Sequence, residues 1–269
     1  MTGPIALGRL HHATVVCRDL QRSIDFYRTV LGYVDVETDR LAIAGDGGGV
    51  MLGSPGAASG FVRLVPRPDA TARHPLTAPG WSTLELIVAD VDAVAEHVAG
   101  LGDVTVVTPP SRAGATGQLG VYHVLGPDGE IVYLTEILAR HDRYELPPTP
   151  AVLVGPVFIG VWATSSLETD RAWFEERFAV TRVSDRKARL RAVNWARRRP
   201  ADDEYRISSL HTGDQSLIEI DDVDGLVAPG AAASEPTLSG ISSITFASRI
   251  GRFMTITSAR RYCDDQRDH

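Results

Sequence analysis

The sequence predicts an α+β protein built from a repeated β-α-β-β-β unit. Three observations predict it. A β-branched strand, an aspartate, an amphipathic helix and a glycine follow one another from Leu10 to Gly32, and the same order returns from Ser82 to Gly102. A weaker copy starts near Val157. Short alternating strands follow each helix, and a Gly126-Pro127-Asp128-Gly129 turn separates the last two strands of the second unit.

Each element has its own reason. His12–Cys17 is apolar and β-branched, so it reads as a strand. Asp19 caps the helix that follows. Leu20, Ile24, Tyr27 and Leu31 form one apolar stripe, and Gly32 ends the helix where a left-handed residue is wanted. Val34–Glu37, Leu41–Ala44 and Phe61–Val65 are the expected strands of the first unit. In the second unit, Leu84–Asp90 is the strand and Asp90 the cap. Val91, Val94, Val98 and Leu101 share a helical face before Gly102. Val104–Val107, Gly120–Leu125 and Ile131–Ile137 follow as strands.

The third unit runs from the strand at Phe158–Ser165 into the helix Leu167–Phe178. Leu167, Trp173, Phe174 and Phe178 take the places of Leu20, Phe26, Tyr27 and Leu31. Leu190–Trp195, Tyr205–Leu210 and Ser216–Ile220 are its expected strands. A fourth unit opens at Ile241–Ser248 and then loses the pattern. The expected domains are residues 8–140, with two units, and 156–248, apparently incomplete. Residues 141–155 are a Pro-containing linker with the boundary near Pro147–Pro150, and 249–269 form an atypical tail. The chain is expected to be truncated or frame-shifted past Ser248, or completed by a partner. An unpaired half-unit would expose strand edges, so a homodimer or a poorly ordered tail is expected.

Composition excludes several classes. The chain has 269 residues, 43% of them hydrophobic, which is ordinary for a globular protein. The formal charge of −7 gives no basis for general nucleic-acid binding. No apolar run reaches the ~18 residues that would cross a membrane. There is no signal-peptide pattern, and two cysteines, Cys17 and Cys263, cannot build a disulfide framework, so a cytoplasmic protein is expected. The Gly45–Gly49 run lacks the ending of a phosphate loop. The charged stretch Ala196–Arg206 reads as a solvated hairpin tip.

Paired β-α-β-β-β units, the signature Asp19-Leu20…Ser23…Phe26-Tyr27…Leu31-Gly32 and the Pro127-Asp128-Gly129 hairpin together resemble the vicinal oxygen chelate superfamily. This is the glyoxalase / bleomycin-resistance / extradiol dioxygenase group. The resemblance covers residues 9–137 well and 157–248 more weakly. It implies that two units curl into an open barrel-like cup. It also implies a divalent metal held by His, Gln or Glu from the first and last strand of each unit.

Carried over by position, the first cup would present His12, Arg63, Thr83 and Tyr133, and the second Ile159, Glu219 and Ser243. One imidazole beside a permanent cation falls short of a divalent site, so no cofactor is expected. Were a metal held, His12 is the residue with ligand chemistry. His12 is read as an acid/base group and Tyr133 as the donor to a substrate oxygen, the two catalytic candidates. Arg63 is an anion anchor. Thr14, which shares a strand face with His12, and Thr83, Trp81 at the cup mouth and His123 complete the substrate-binding set. His11 should point away from the cup, Cys17 toward the helix, and Glu136 away from Tyr133.

The leading functional reading is a metal-independent enzyme of this superfamily. It would bind a small organic molecule in the N-terminal cup and carry out proton transfer, as an isomerase, lyase or cyclase-like enzyme. Two alternatives stay open: a non-catalytic, ligand-sequestering protein similar to bleomycin-resistance proteins, and a metal-dependent glyoxalase- or dioxygenase-like enzyme with atypical ligands. Nucleic acid and membrane are not expected partners.

Overall fold

The computed structural model describes residues 3–37, 49–114, 116–140, 145–227, 237–248 and 251–258, with the backbone of 262–264. Its strands form two mixed sheets. The first unit supplies β1 (Leu7–Cys17), α1 (Leu20–Thr29), β2 (Val34–Asp35), β3 (Val50–Gly53) and β4 (Phe61–Pro66). The second supplies β5 (Gly80–Val88), α2 (Val91–Leu101), β6 (Val106–Ala113), β7 (Leu119–Leu125) and β8 (Ile131–Ile137). The third supplies β9 (Val154–Thr164), α3 (Leu167–Arg177), β10 (Thr181–Ala188), α4 (Arg191–Arg197), β11 (Tyr205–Gly213) and β12 (Ser216–Asp222). The fourth is a meander of β13 (Gly240–Ser248), β14 (Phe253–Thr257) and β15 (Tyr262–Asp264).

The helix signals act as expected. Asp19 accepts a hydrogen bond from the Arg22 amide at 3.1 Å, and Asp90 accepts from the Asp92 and Ala93 amides at 2.9 and 3.0 Å. Gly32 stands at φ +66°, a left-handed conformation that costs glycine least.

The order of strands assigns the units to sheets. One sheet runs β15-β14-β13-β1-β4-β3-β2 and the other β10-β11-β12-β9-β5-β8-β7-β6. Unit one is therefore joined to unit four through the antiparallel pair β1–β13, and unit two to unit three through β5–β9. The expected joining of units one and two in a single cup is corrected. The first strands of all units are apolar and alike, so the repeat alone does not specify which two pair.

Past Ser248, where an atypical tail was expected, β14 pairs in register with β13 from Ser243↔Thr257 to Ala247↔Phe253, so among the described residues this stretch extends the sheet. Leu41–Ala44 lies outside the described residues, as do residues 45–48 of the glycine run.

The third unit departs from its expected strands. Leu190–Trp195, read as a strand, is the start of α4. Its apolar residues Leu190, Ala192, Val193 and Ala196 pack together on one side, a helical rather than alternating pattern. The strand that replaces it, β10, is charged and largely exposed at the sheet's edge, where Arg and Lys discourage further pairing.

The main core lies between the sheets. Leu10, Ala13, Val15, Val62 and Leu64 from the first meet Leu84, Leu86, Val132, Leu134 and Trp162 from the second, joined by Ile24 and Tyr27 of α1, Val94 of α2 and Phe174 of α3. Trp81 is wholly buried there, edge-on to Trp162 at 5.2 Å, and its Nε1 donates to the Ile256 carbonyl at 2.6 Å. A Cβ on Gly160 would press on the Ile244 side chain and the Trp81 ring, so glycine lets these two pack tightly against β9.

Candidate functional site

The faces turned away from the core carry the polar chemistry. On the first sheet, His12 stands opposite Phe61 of β4 and Thr245 of β13, and Thr14 opposite Arg63 and Ser243. A register shift between Leu10 and His12 alters the alternation of β1. As a result His11, expected to point away, lies beside His12: their Nδ1 atoms are 2.8 Å apart, so one ring donates and the other accepts. His11 also packs on the rings of Phe61 and Phe253. Burial pushes His11 down to about 4. Burial, with the charges of His11 and Arg63, pushes His12 to about 3. Both are neutral at pH 7.

The second sheet holds the other half of the expected set. Thr83 and Glu85 of β5 stand opposite Ile131 and Tyr133 of β8, and Tyr133 stands opposite His123 of β7. The rings of His123 and Tyr133 are stacked with centroids 4.0 Å apart, and His123 Nδ1 is 2.6 Å from Thr108 Oγ1. Across β9, Glu219 of β12 lies opposite Val161, which also faces Thr83, and Asp221 follows two residues along the same strand. His12, Thr14 and Arg63 are thus separated from Thr83, His123 and Tyr133 by the fold. Trp81, expected at a cup mouth, belongs to the core.

Sequence reading placed Glu219 at a carried-over position of the second cup but missed Glu85 and Asp221, which share this face. Glu85, Glu219 and Asp221 are all buried. Burial raises Glu85 to about 8, and the negative charge of Glu219 adds to that. Burial likewise raises Glu219 and Asp221, with Glu219 pushing Asp221 further up. The compensating cation among the described residues is Arg186, 3.5 Å from Glu219 and partly exposed. Among the described residues Asp221 Oδ1 accepts no hydrogen bond, although buried polar atoms ordinarily have partners. The one available signal was Glu85, a lone charge inside the apolar run Leu84–Val88.

A roof covers part of this face. Leu190, Ala192, Val193 and Ala196 of α4 pack over Ile131, Tyr133, Ala163 and Ile207. Glu136 points away, as expected: it accepts from the Val91 amide at 3.3 Å and so supports the start of α2. Cys17 is buried beside α1 and Ser23, and burial raises its thiol far above the usual range.

Among the described residues, the family's ligand positions on both faces hold side chains that fit a divalent metal poorly. On the second sheet the positions that the family resemblance makes ligands hold Thr83, Tyr133 and Ile159, and Glu219 is already paired with Arg186. On the first, His12 has the positive Arg63 for a neighbour. Among the described residues no three His, Cys, Asp or Glu side chains are grouped to hold a metal ion. No helix among them is long and apolar enough to cross a membrane.

Comparison with known proteins agrees with this architecture. No curated protein matches the chain. Residues 9–133 match the family model described as Glyoxalase/Bleomycin resistance protein/Dioxygenase superfamily. The structure of a V278E mutant of glyoxalase I from Zea mays is similar, with a TM-score of 0.59 at 14% identity over 95% of this chain and 91% of that one. A putative dioxygenase from Bacillus subtilis is similar at a TM-score of 0.58 and 13% identity, over 95% of this chain and 86% of that one. At these identities the likeness speaks for the fold alone. Residues 9–133 are thus similar to the glyoxalase / bleomycin resistance / dioxygenase superfamily, and the described structure as a whole shares its fold with these solved neighbours.

Proposed function

We propose that the protein binds a small organic molecule on the carboxylate-bearing face of the second sheet and moves a proton on it without a metal. It would then be an isomerase, lyase or cyclase-like member of its superfamily. The observation that carries this reading is the grouping of Glu85, Glu219 and Asp221 beside Tyr133. Buried carboxyls this close cannot all be ionised at neutral pH, so a proton donor and a proton acceptor stand side by side. Glu85, raised to about 8, is suited to exchange a proton near pH 7. Tyr133, held neutral by burial, can donate a hydrogen bond to a developing oxyanion. His12, at about 3, is too weak a base for this task.

Incubation in D2O with a panel of α-hydroxycarbonyl and β-dicarbonyl compounds, followed by proton NMR, tests the reading. Protein-dependent exchange at carbon is expected for at least one compound. Glu85→Gln should lower it by about 10²-fold or more, and His12→Ala should leave it intact. Exchange that survives Glu85→Gln overturns the assignment. Stoichiometric Fe, Mn, Ni or Zn in the purified protein overturns metal independence. The sequestering reading draws on the roof formed by α4, and a ligand bound and returned without exchange favours it.

A further inference from the structure

We propose that the pocket between α4 and β6 binds an oxyanion, a carboxylate or a phosphate, carried on a small planar molecule. The pocket is about 320 Å³ and is lined by Thr108, Arg189, Arg191, Trp195, Arg199 and Asp202, among others. In a chain of net charge −7, it gathers three arginines against one aspartate.

These arginines are weakly committed to other partners. Arg189 stands 3.8 Å from Asp202 and 3.9 Å from Glu204, contacts too long for good hydrogen bonds. Arg199 reaches the exposed Asp224 at 3.4 Å. Arg191 has no carboxylate partner among the described residues. A guanidinium offers paired donors in a planar fork, which suits a carboxylate or phosphate.

Trp195 supplies the other half of the recognition. It is 39% exposed, whereas Trp81 and Trp162 are buried. Its ring, with Pro109 and Ala201, gives an apolar surface beside the arginines, where a planar ligand can stack. The wall behind it is held rigidly. Asn194 donates to the Ala201 and Asp203 carbonyls at 3.2 and 3.1 Å and accepts from the Tyr205 hydroxyl at 2.7 Å.

The pocket adjoins the carboxylate-bearing face. Thr108 lines it and contacts His123 at 2.6 Å, and His123 stacks on Tyr133. The charge of Arg191 reaches His123 and, after burial, helps lower it to about 3. An anion bound at Arg191 would therefore be linked to Tyr133 through Thr108 and His123. That such an anion is the substrate rests on the proton-transfer reading above; that it binds does not.

Phenyl phosphate and benzoate are the probes, titrated against the full chain by tryptophan fluorescence and by calorimetry. At least one should bind saturably, with inorganic phosphate competing and neutral phenol failing to bind. Arg191→Gln, an exposed substitution, should weaken binding at least about tenfold. Trp195→Phe should remove most of the fluorescence change. Binding of benzoate alone assigns a carboxylate, and of phenyl phosphate alone a phosphate. Absence of binding by both, equal binding of phenol, or unchanged affinity in Arg191→Gln overturns the proposal. Glu85→Gln should bind the probes normally. If it does, and isotope exchange is missing from the native protein, only the proton-transfer reading fails.

Discussion

Ser23 donates its hydroxyl to the buried carboxylate of Asp128 across 2.6 Å, tying the helix of the first unit to the hairpin turn of the second. Asp128 also accepts from the Arg18 amide at 2.9 Å, and one turn further along α1 the Tyr27 hydroxyl donates to Glu130 at 3.1 Å. The helix signature and the Pro-Asp-Gly turn are therefore two sides of one contact. Ser23→Ala should leave part of a buried carboxylate unpartnered. A loss of about 1–3 kcal/mol is expected, measured by urea unfolding, with the slope against denaturant unchanged.

The dependence of stability on pH has a definite sign. His11 is lowered to about 4, and His12 and His123 to about 3. The unfolded chain, with imidazoles near about 6.5, binds protons that the folded chain refuses. Their contribution is complete above about 6.5 and is lost as pH falls toward those values. Glu85 and Glu130 are raised to about 8. The folded chain holds their protons while the unfolded chain releases them above about 4.5, so their contribution is lost as pH rises through 8. The two effects oppose each other between about 4.5 and 6.5. Thermal unfolding should show a plateau there and a fall on both sides, with Tm lower at pH 8.5 than at pH 6.

Glu85→Gln links stability to the proposed chemistry. A neutral amide of nearly the same shape removes the cost of ionising a buried carboxyl. The variant should therefore unfold at a higher temperature than the native chain at pH 8.5, and differ little at pH 5. Activity should fall in the same variant, as when a functional group is held at a cost to the fold. A variant less stable at both pH values would show that Glu85 is a structural hydrogen-bonding group.

Trp81 joins the two sheets, so its polar bond can be tested apart from its bulk. Trp81→Phe keeps most of the packing against Trp162 and Phe174 but removes the donor to Ile256. A loss of about 1–3 kcal/mol is expected from the unpaired carbonyl together with the small cavity. Hydrogen exchange of the β14 amides should accelerate more than that of β8.

The α4 roof gives a further expectation. Val193→Asp would set an unpaired charge against Ile131, Tyr133 and Ile207. It should expose Tyr133 to solvent, read as increased reactivity with tetranitromethane, while the core between the sheets stays folded.

Local chemistry was legible where neighbours in sequence settle the outcome. Asp19 and Asp90 cap helices because their carboxylates need only the amides two or three residues on. Gly32 turns the chain because only its own φ matters. Leu190–Trp195 was misread because Ala192 and Val193 suit a strand as well as a helix. Its packing over Tyr133 decided the matter. His11 was misread because a register shift in β1 is set by pairing with β13, more than 200 residues away.

The sequence by itself determined the repeated units, their helices, the turn at Asp128 and the superfamily likeness of residues 9–133, since each rests on short-range periodicity or a local motif. Only the tertiary structure decided which units share a sheet, because the first strands of the repeats are interchangeable in pattern. That choice parted His12 and Arg63 from Tyr133, and it gathered Glu85, Glu219 and Asp221 from two units onto one face. A carboxyl's proton affinity depends on the charges and solvent around it, and here those neighbours come from strands far apart in the chain.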